Sequence, residues 1–158
     1  MMQESHSYSD ESKKAVKKAM DLLLRGDRTE AELRDRLNGY DFEPAAVDEA
    51  IGYVKSFGYI DDLRYAKTYI DYHRVRRSRK ELKHRLRDKG VSDEIISEAF
   101  LEYDEADDDP ELASMQQLIA KRLKGRQISE LDYNEKAKHM RYLAGRGYPS
   151  DKIRRLFS

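Results

Sequence analysis

Two groups of side chains in this sequence are of types that do chemistry. One is the carboxylate pair Asp61-Asp62, a combination that serves acid–base catalysis or holds a hard metal ion. The other is a run of cations between Arg74 and Lys89. The carboxylates have a simpler use. Asp61 is well placed to cap the start of a helix, and Asp62 to sit in its first turn, where negative charge suits the helix dipole. The four histidines, His6, His73, His84 and His139, form no HExxH pair, and the chain has no cysteine to complete a zinc site. No nucleophile elbow, P-loop or dinucleotide fingerprint occurs. The sequence therefore offers no catalytic residue, no metal site and no cofactor, and points to a binding protein rather than an enzyme.

The cations are the stronger signal. From 74 to 89 they are Arg74, Arg76, Arg77, Arg79, Lys80, Lys83, Arg85, Arg87 and Lys89, opposed only by Glu81 and Asp88. With Leu82 and Leu86 turned inward on a helix, about 100° per residue places Lys80, Lys83, His84 and Arg87 together on the outer face. Such a stripe, with its approach Arg74, Arg76, Arg77 and Arg79, could meet phosphate or acidic protein surface. The corresponding face earlier in the chain, Ala31, Arg34, Asp35 and Asn38, is mixed.

The elements that must carry this stripe are helical. Good helix formers fill the 158 residues between eight glycines and three prolines, and no stretch alternates with period two. The spacing predicts nine helices. Thr29 with Glu32, and Ser78 with Glu81, read as capping boxes. Pro44, Pro110 and Pro149 read as first-turn prolines, and Gly145 and Gly147 as a helix end before Tyr148.

An internal repeat organises these helices. A shift of 49 carries Leu33 to Leu82, Leu37 to Leu86, Phe42 to Val91, Val47 to Ile96, Ala50 to Ala99 and Ile51 to Phe100. Upstream it carries Met20 to Tyr69 and Leu23 to Tyr72. A shift of 57 carries Leu86 to Leu143, Gly90 to Gly147, Val91 to Tyr148, Ile96 to Ile153, Ala99 to Leu156 and Phe100 to Phe157. His139 then falls on the Leu82 position, where the register slips by a residue. The expected fold is all-α: three tandem three-helix, helix-turn-helix-like units, elongated and curved. The divisions are a flexible 1–11, unit one at 12–58, unit two at 59–103, and an acidic linker with unit three at 104–158. Ser56 to Ile60 is short and apolar, so units one and two should pack firmly, with Tyr59 and Tyr65 in their interface. Glu102 to Glu111 holds seven acids and no base, so it reads as a solvated connection, with unit three free to move.

Bulk composition sets limits. Lys plus Arg equals Asp plus Glu at 31 each, so net charge gives no case for nucleic-acid binding and only local distribution can. Charged residues are 39% of the chain, which favours a thin, monomeric shape. The polar start from Met1 to Ser12 lacks the apolar stretch of a signal peptide, and no apolar run suits a bilayer. A cytoplasmic location and no membrane partner are expected.

Gly58-Tyr59-Ile60-Asp61-Asp62 followed by Tyr65-Ala66 resembles the central signature of the RecX family. Ser78, Glu81-Leu82, Leu86 and Lys89-Gly90-Val91 resemble its second-helix pattern. Leu24-Arg25, Thr29, Glu32-Leu33 and Leu37 match the first repeat; Tyr142-Leu143, Arg146-Gly147-Tyr148, Asp151 and Ile153 match the third. The resemblance implies a regulator of RecA that binds the RecA filament on single-stranded DNA, with a weak direct DNA contact possible. It also implies modulation, mostly inhibition, of ATPase, strand-exchange and co-protease activities, hence a role in DNA repair, recombination and the SOS response. Two rival readings exist. One is a helix-turn-helix transcription regulator, although the stripe carries no Asn or Gln for base readout. The other is a plain helical scaffold.

Overall fold

The computed structural model describes residues 8–105 and 109–158. His6, and Ala106 to Asp108 of the acidic segment, lie outside the described residues. Nine α-helices and one short 3-10 turn form among these residues, and no strand. Unit one comprises α1 (Asp10–Leu24), α2 (Glu30–Asn38) and α3 (Pro44–Ser56). Unit two comprises α4 (Asp62–His73), α5 (Arg79–Asp88) and α6 (Asp93–Asp104). Unit three comprises α7 (Pro110–Leu123), the turn Ile128–Glu130, α8 (Tyr133–Gly145) and α9 (Ser150–Phe157).

Helix starts follow their side chains. Ser9, Thr29, Asp61, Ser78, Ser92, Asp109 and Asp132 each accept a backbone N–H from the first turn they precede, satisfying donors with no partner inside the helix. Thr29–Glu32 closes a full capping box, and so does Asp132–Glu135. The Ser78 box is half made: Ser78 accepts from Glu81 N, but the Glu81 carboxylate turns to Arg77 and Arg85. Pro44 and Pro110 open their helices, whereas Pro149 stands one residue before α9, as its cap.

Each unit closes over its own core. Leu22, Leu33, Leu37, Val47 and Ile51 are buried in the first; Ile70, Leu82, Leu86, Ile96 and Phe100 in the second; Met115, Ile119, Leu143, Ile153 and Phe157 in the third. The extensive helix contacts all lie within units, so three small cores stand in tandem. Burying one such side chain stabilises by about 1.5–3 kcal/mol, and truncating one to alanine costs about 2–5 kcal/mol. Leu86 is fully buried, so Leu86→Ala should destabilise unit two by that amount.

The repeat is faithful in the third helices and in the second helices of units one and two, and looser in the first helices and in α8. Leu23 lies against the core, but Tyr72, its counterpart at a shift of 49, is 80% exposed. The buried residues Ala15 and Ala19 correspond instead to Ala66 and Ile70, at a shift of 51. In unit three, α8 is three residues longer than α5. His139 is only half-buried, its Nδ1 accepting from Arg122 Nε at 3.2 Å, while neighbouring Met140 packs on the core.

Candidate interaction surface at the joint of units two and three

Both joints between units are built from one set of contacts. At the first, Thr29 Oγ1 donates to the Lys89 carbonyl at 2.6 Å, so the cap of α2 sits on the end of α5. Glu30 N donates to Asp62 Oδ1 at 2.9 Å. At the second, Ser78 Oγ donates to the Arg146 carbonyl at 2.8 Å, and Arg79 N donates to Glu111 Oε2 at 2.9 Å. In each case a helix start meets the last carbonyls of the next unit's middle helix, and a carboxylate covers its positive end. A glycine allows the approach. Gly90 has φ +87°, and a Cβ there would collide with Ala31 Cβ; Gly147 has φ +93°, and a Cβ there would lie 2.9 Å from Ser78 Oγ and 3.4 Å from Lys80 Cβ.

This geometry corrects one expectation and adds to a second. Tyr59 is not interface core: it is 47% exposed and stacks on Phe57, itself 61% exposed, and of that apolar stretch only Ile60 is deeply buried. Tyr65 is partly buried against the unit-two core. The acidic connection is also tied down at both described ends. Asp104 pairs with Arg79; Asp109 and Glu111 both accept from Lys152 Nζ at 3.1 Å. Arg79 holds the Asp104 carboxyl below its usual range. Burial pushes Asp109 upward, but the Lys152 ammonium and the Leu112 and Glu111 N–H groups together outweigh it and the net shift is down.

The remaining signature residues serve the backbone. Asp61 caps α4 by accepting from Arg64 N at 3.0 Å. Asp62 spans the joint, and burial raises its pKa. Gly58 adopts φ +73° in the turn, its carbonyl bonded by Arg64. Ala66 is fully buried.

The basic cluster divides in two. Arg77 is paired with Glu81 at 2.6 Å; Arg79 binds Asp104 and lies 4.4 Å over the Phe100 ring; Arg74 lies 5.2 Å over Tyr103. These three spend their charge inside the fold. Lys80, His84 and Arg87 are exposed, as the periodicity predicts, whereas Lys83 is half-buried with its ammonium 5.8 Å from the centre of the Phe100 ring. Arg87 pairs with Asp93 at 2.6 Å and His84 with Asp88 at 3.4 Å, whereas Lys80, Lys83 and Arg76 meet no carboxylate among the described residues. Lys80, Lys83 and Arg87 form one wall of an open groove, with Ala144, Gly147, Tyr148 and Pro149 opposite and Arg79 and Glu111 also lining it. The third unit's share of this groove was not visible in the stripe itself. Its sequence signal is the cation–glycine pair Lys89-Gly90, repeated as Arg146-Gly147.

Among the described residues no cluster of His, Asp or Glu could hold a metal ion, and no helix is long and apolar enough to cross a membrane.

Comparison with known proteins matches the three units in turn. Residues 15–53 match the first three-helix domain of RecX, 61–99 the second and 109–157 the third. The regulatory protein RecX of Vibrio campbellii is 36% identical over 136 residues, covering 85% of this chain and 84% of its own length. That of Serratia proteamaculans is 29% identical, covering 90% and 95%. The crystal structure of RecX from Lactobacillus salivarius superposes with a TM-score of 0.80 at 25% identity, covering 94% of this chain and 96% of that one. With all three domains matched in order and the tandem cores to go with them, the chain belongs to the RecX family.

Proposed function

We propose that this protein regulates RecA, mainly as an inhibitor, by binding the RecA filament on single-stranded DNA through the outward wall Lys80, Lys83 and Arg87. It acts as a monomer in the cytoplasm, without catalysis of its own. Slowed ATP hydrolysis, reduced strand exchange and reduced co-protease activity would follow, and with them control of recombination, repair and the SOS response. The observation that carries this reading is the groove of the second joint, where Lys80 and Lys83 make no salt bridge among the described residues although Glu111 also lines the groove. Cations so placed gain affinity by releasing counterions from phosphate, and binding should weaken as salt rises. The relatives' name, regulatory protein RecX, agrees with a regulatory role.

A transcription-factor reading fares worse. Reader helices present their N-terminal residues to base edges, and the start of α5 is engaged by Arg146 and Glu111.

The test is the triple variant Lys80→Glu, Lys83→Glu and Arg87→Glu. These side chains lie outside the core, so circular dichroism should be unchanged. Binding to a RecA–single-stranded DNA filament should fall roughly ten- to a hundredfold at moderate salt, and inhibition of RecA ATPase with it. Parent protein that leaves the ATPase unchanged at saturation would remove the regulator reading; a triple variant that inhibits like the parent would move the contact elsewhere.

A further inference from the structure

Besides the groove, the second joint holds an open cavity of about 370 Å³ between units two and three. Its floor is the edge of the unit-two core: Ile70, Leu82 and Phe100, each no more than 3% exposed. Tyr103 from α6 and Pro110 from α7 extend the apolar lining.

The rest of the lining is charged, with five cations and three carboxylates. The carboxylates are already taken. Asp104 is bound by Arg79, and Asp109 and Glu111 by Lys152 at 3.1 Å. Arg77 is held by Glu81 at 2.6 Å. Two cations remain: Arg74, at the end of α4, and Arg155, on α9. Neither guanidinium meets a carboxylate or donates a hydrogen bond among the described residues. The cavity therefore sets an apolar floor beside two guanidinium groups with donors to spare. Small-molecule sites are of this kind: they favour joints between folded units, have volumes from about 300 Å³, and fix an apolar body with a few polar groups. Guanidinium groups select oxyanions, which they bind through paired N–H bonds. One face of each ring is already covered, Phe100 by Arg79 at 4.4 Å and Tyr103 by Arg74 at 5.2 Å. An aliphatic chain thus suits the floor better than a flat ring.

We infer that this cavity binds a small amphipathic anion of the medium-chain carboxylate class, its chain on Ile70, Leu82 and Phe100 and its head group on Arg74 and Arg155. Such a ligand touches both units, so its binding would stiffen the second joint. The inference needs no RecA and stands apart from the regulator reading.

The test is a decanoate titration of the whole chain, followed by calorimetry and by the methyl NMR signals of Ile70 and Leu82. Both signals should shift and saturate. Acetate, a head without a chain, and decanol, a chain without a charge, should each bind at least roughly tenfold more weakly. Arg74→Gln with Arg155→Gln should weaken decanoate binding roughly ten- to a hundredfold and leave decanol unchanged. Arg154→Gln, on the same helix but outside the cavity, should bind like the parent. Circular dichroism would confirm the fold of each variant. Methyl signals that stay put at millimolar decanoate, decanol binding equal to decanoate, or parent-like binding by the double variant would each overturn the inference. So would the same methyl shifts produced by polyglutamate, which would make the occupant an acidic peptide, or by raising the protein concentration alone, which would make it a second copy of the chain.

Discussion

The first and second joints are the same device with different charge. Each seats a hydroxyl cap on the end of the following unit's middle helix, and each passes a glycine beneath it. Yet the groove beside the first joint is lined by Glu30, Asp61, Asp62 and Glu98 against Arg34 and Lys55. The groove beside the second is lined by Arg79, Lys80, Lys83 and Arg87 against Glu111. The hydrogen bonds and glycines are needed wherever units meet and so recur. The surrounding charges are not needed for assembly and so are free to differ. That separates what holds the units together from what a partner meets.

The largest expected effect comes from the glycines. Gly90→Ala forces a side chain into a positive φ, at about 1–2 kcal/mol, and also into Ala31, so it should lose about 3 kcal/mol in urea unfolding. Gly147→Ala carries the same backbone penalty but meets the Ser78 hydroxyl and the flexible Lys80, so about 1–2 kcal/mol is expected. Equal losses would mean that the closeness of approach does not distinguish the joints.

Next is the charge contrast. Against the ten- to hundredfold loss of filament binding proposed for reversal of Lys80, Lys83 and Arg87, Arg34→Glu should change binding by less than about twofold, because Arg34 is already paired with Asp48 at 2.5 Å. A large effect of Arg34→Glu would make the first groove a contact surface too.

Removing the hydroxyls should be milder. Thr29→Val and Ser78→Ala each delete a helix cap and the bond across a joint, so each should cost about 1–2 kcal/mol. Faster amide hydrogen exchange should be confined to the joint concerned.

The smallest effect is in pH dependence, with opposite signs. Burial raises the Asp62 pKa, so the folded chain takes up that proton first. Its contribution to stability is largest below the ordinary carboxylate range and is lost as pH rises through the raised value. Asp104 is lowered by its hydrogen bond from Arg79, so its contribution is present above that range and lost as pH falls through the lowered value. Carboxyl NMR titration should show the two moving apart; Asp104 is mostly exposed, so its share of stability is small.

Much of this was legible in the residues. Leu37, Leu86 and Leu143 mark the middle helices because a buried stripe must recur with the helical period, and Lys80 with Arg87 faced outward for the same reason. The first helices were harder. Tyr72 looked like core because aromatic rings usually are, and only packing shows that Ala66 and Ile70 fill the unit, leaving Tyr72 outside. The contacts that hold the ends of the acidic connection were not legible for a related reason. A run of acids repels itself when read along the chain, but Arg79 and Lys152, distant in sequence, arrive in space to neutralise its ends. Tyr59 failed as interface core because Ile60, next to it, turns into the unit-one core while Tyr59 stays outside and stacks on Phe57.

The caps of the three middle helices differ in one respect that gives the array a direction. Thr29 and Ser78 each accept a proton from their own helix and donate one to the unit that follows. Asp132, at the same place in unit three, also accepts, from Glu135 N at 2.8 Å. An ionised carboxylate has no proton left to give. Placed against the carbonyls that end another such helix, it would set lone pair against lone pair. The first two middle helices are thus sockets and the third is a terminus, and whatever approaches the start of α8 must bring donors of its own.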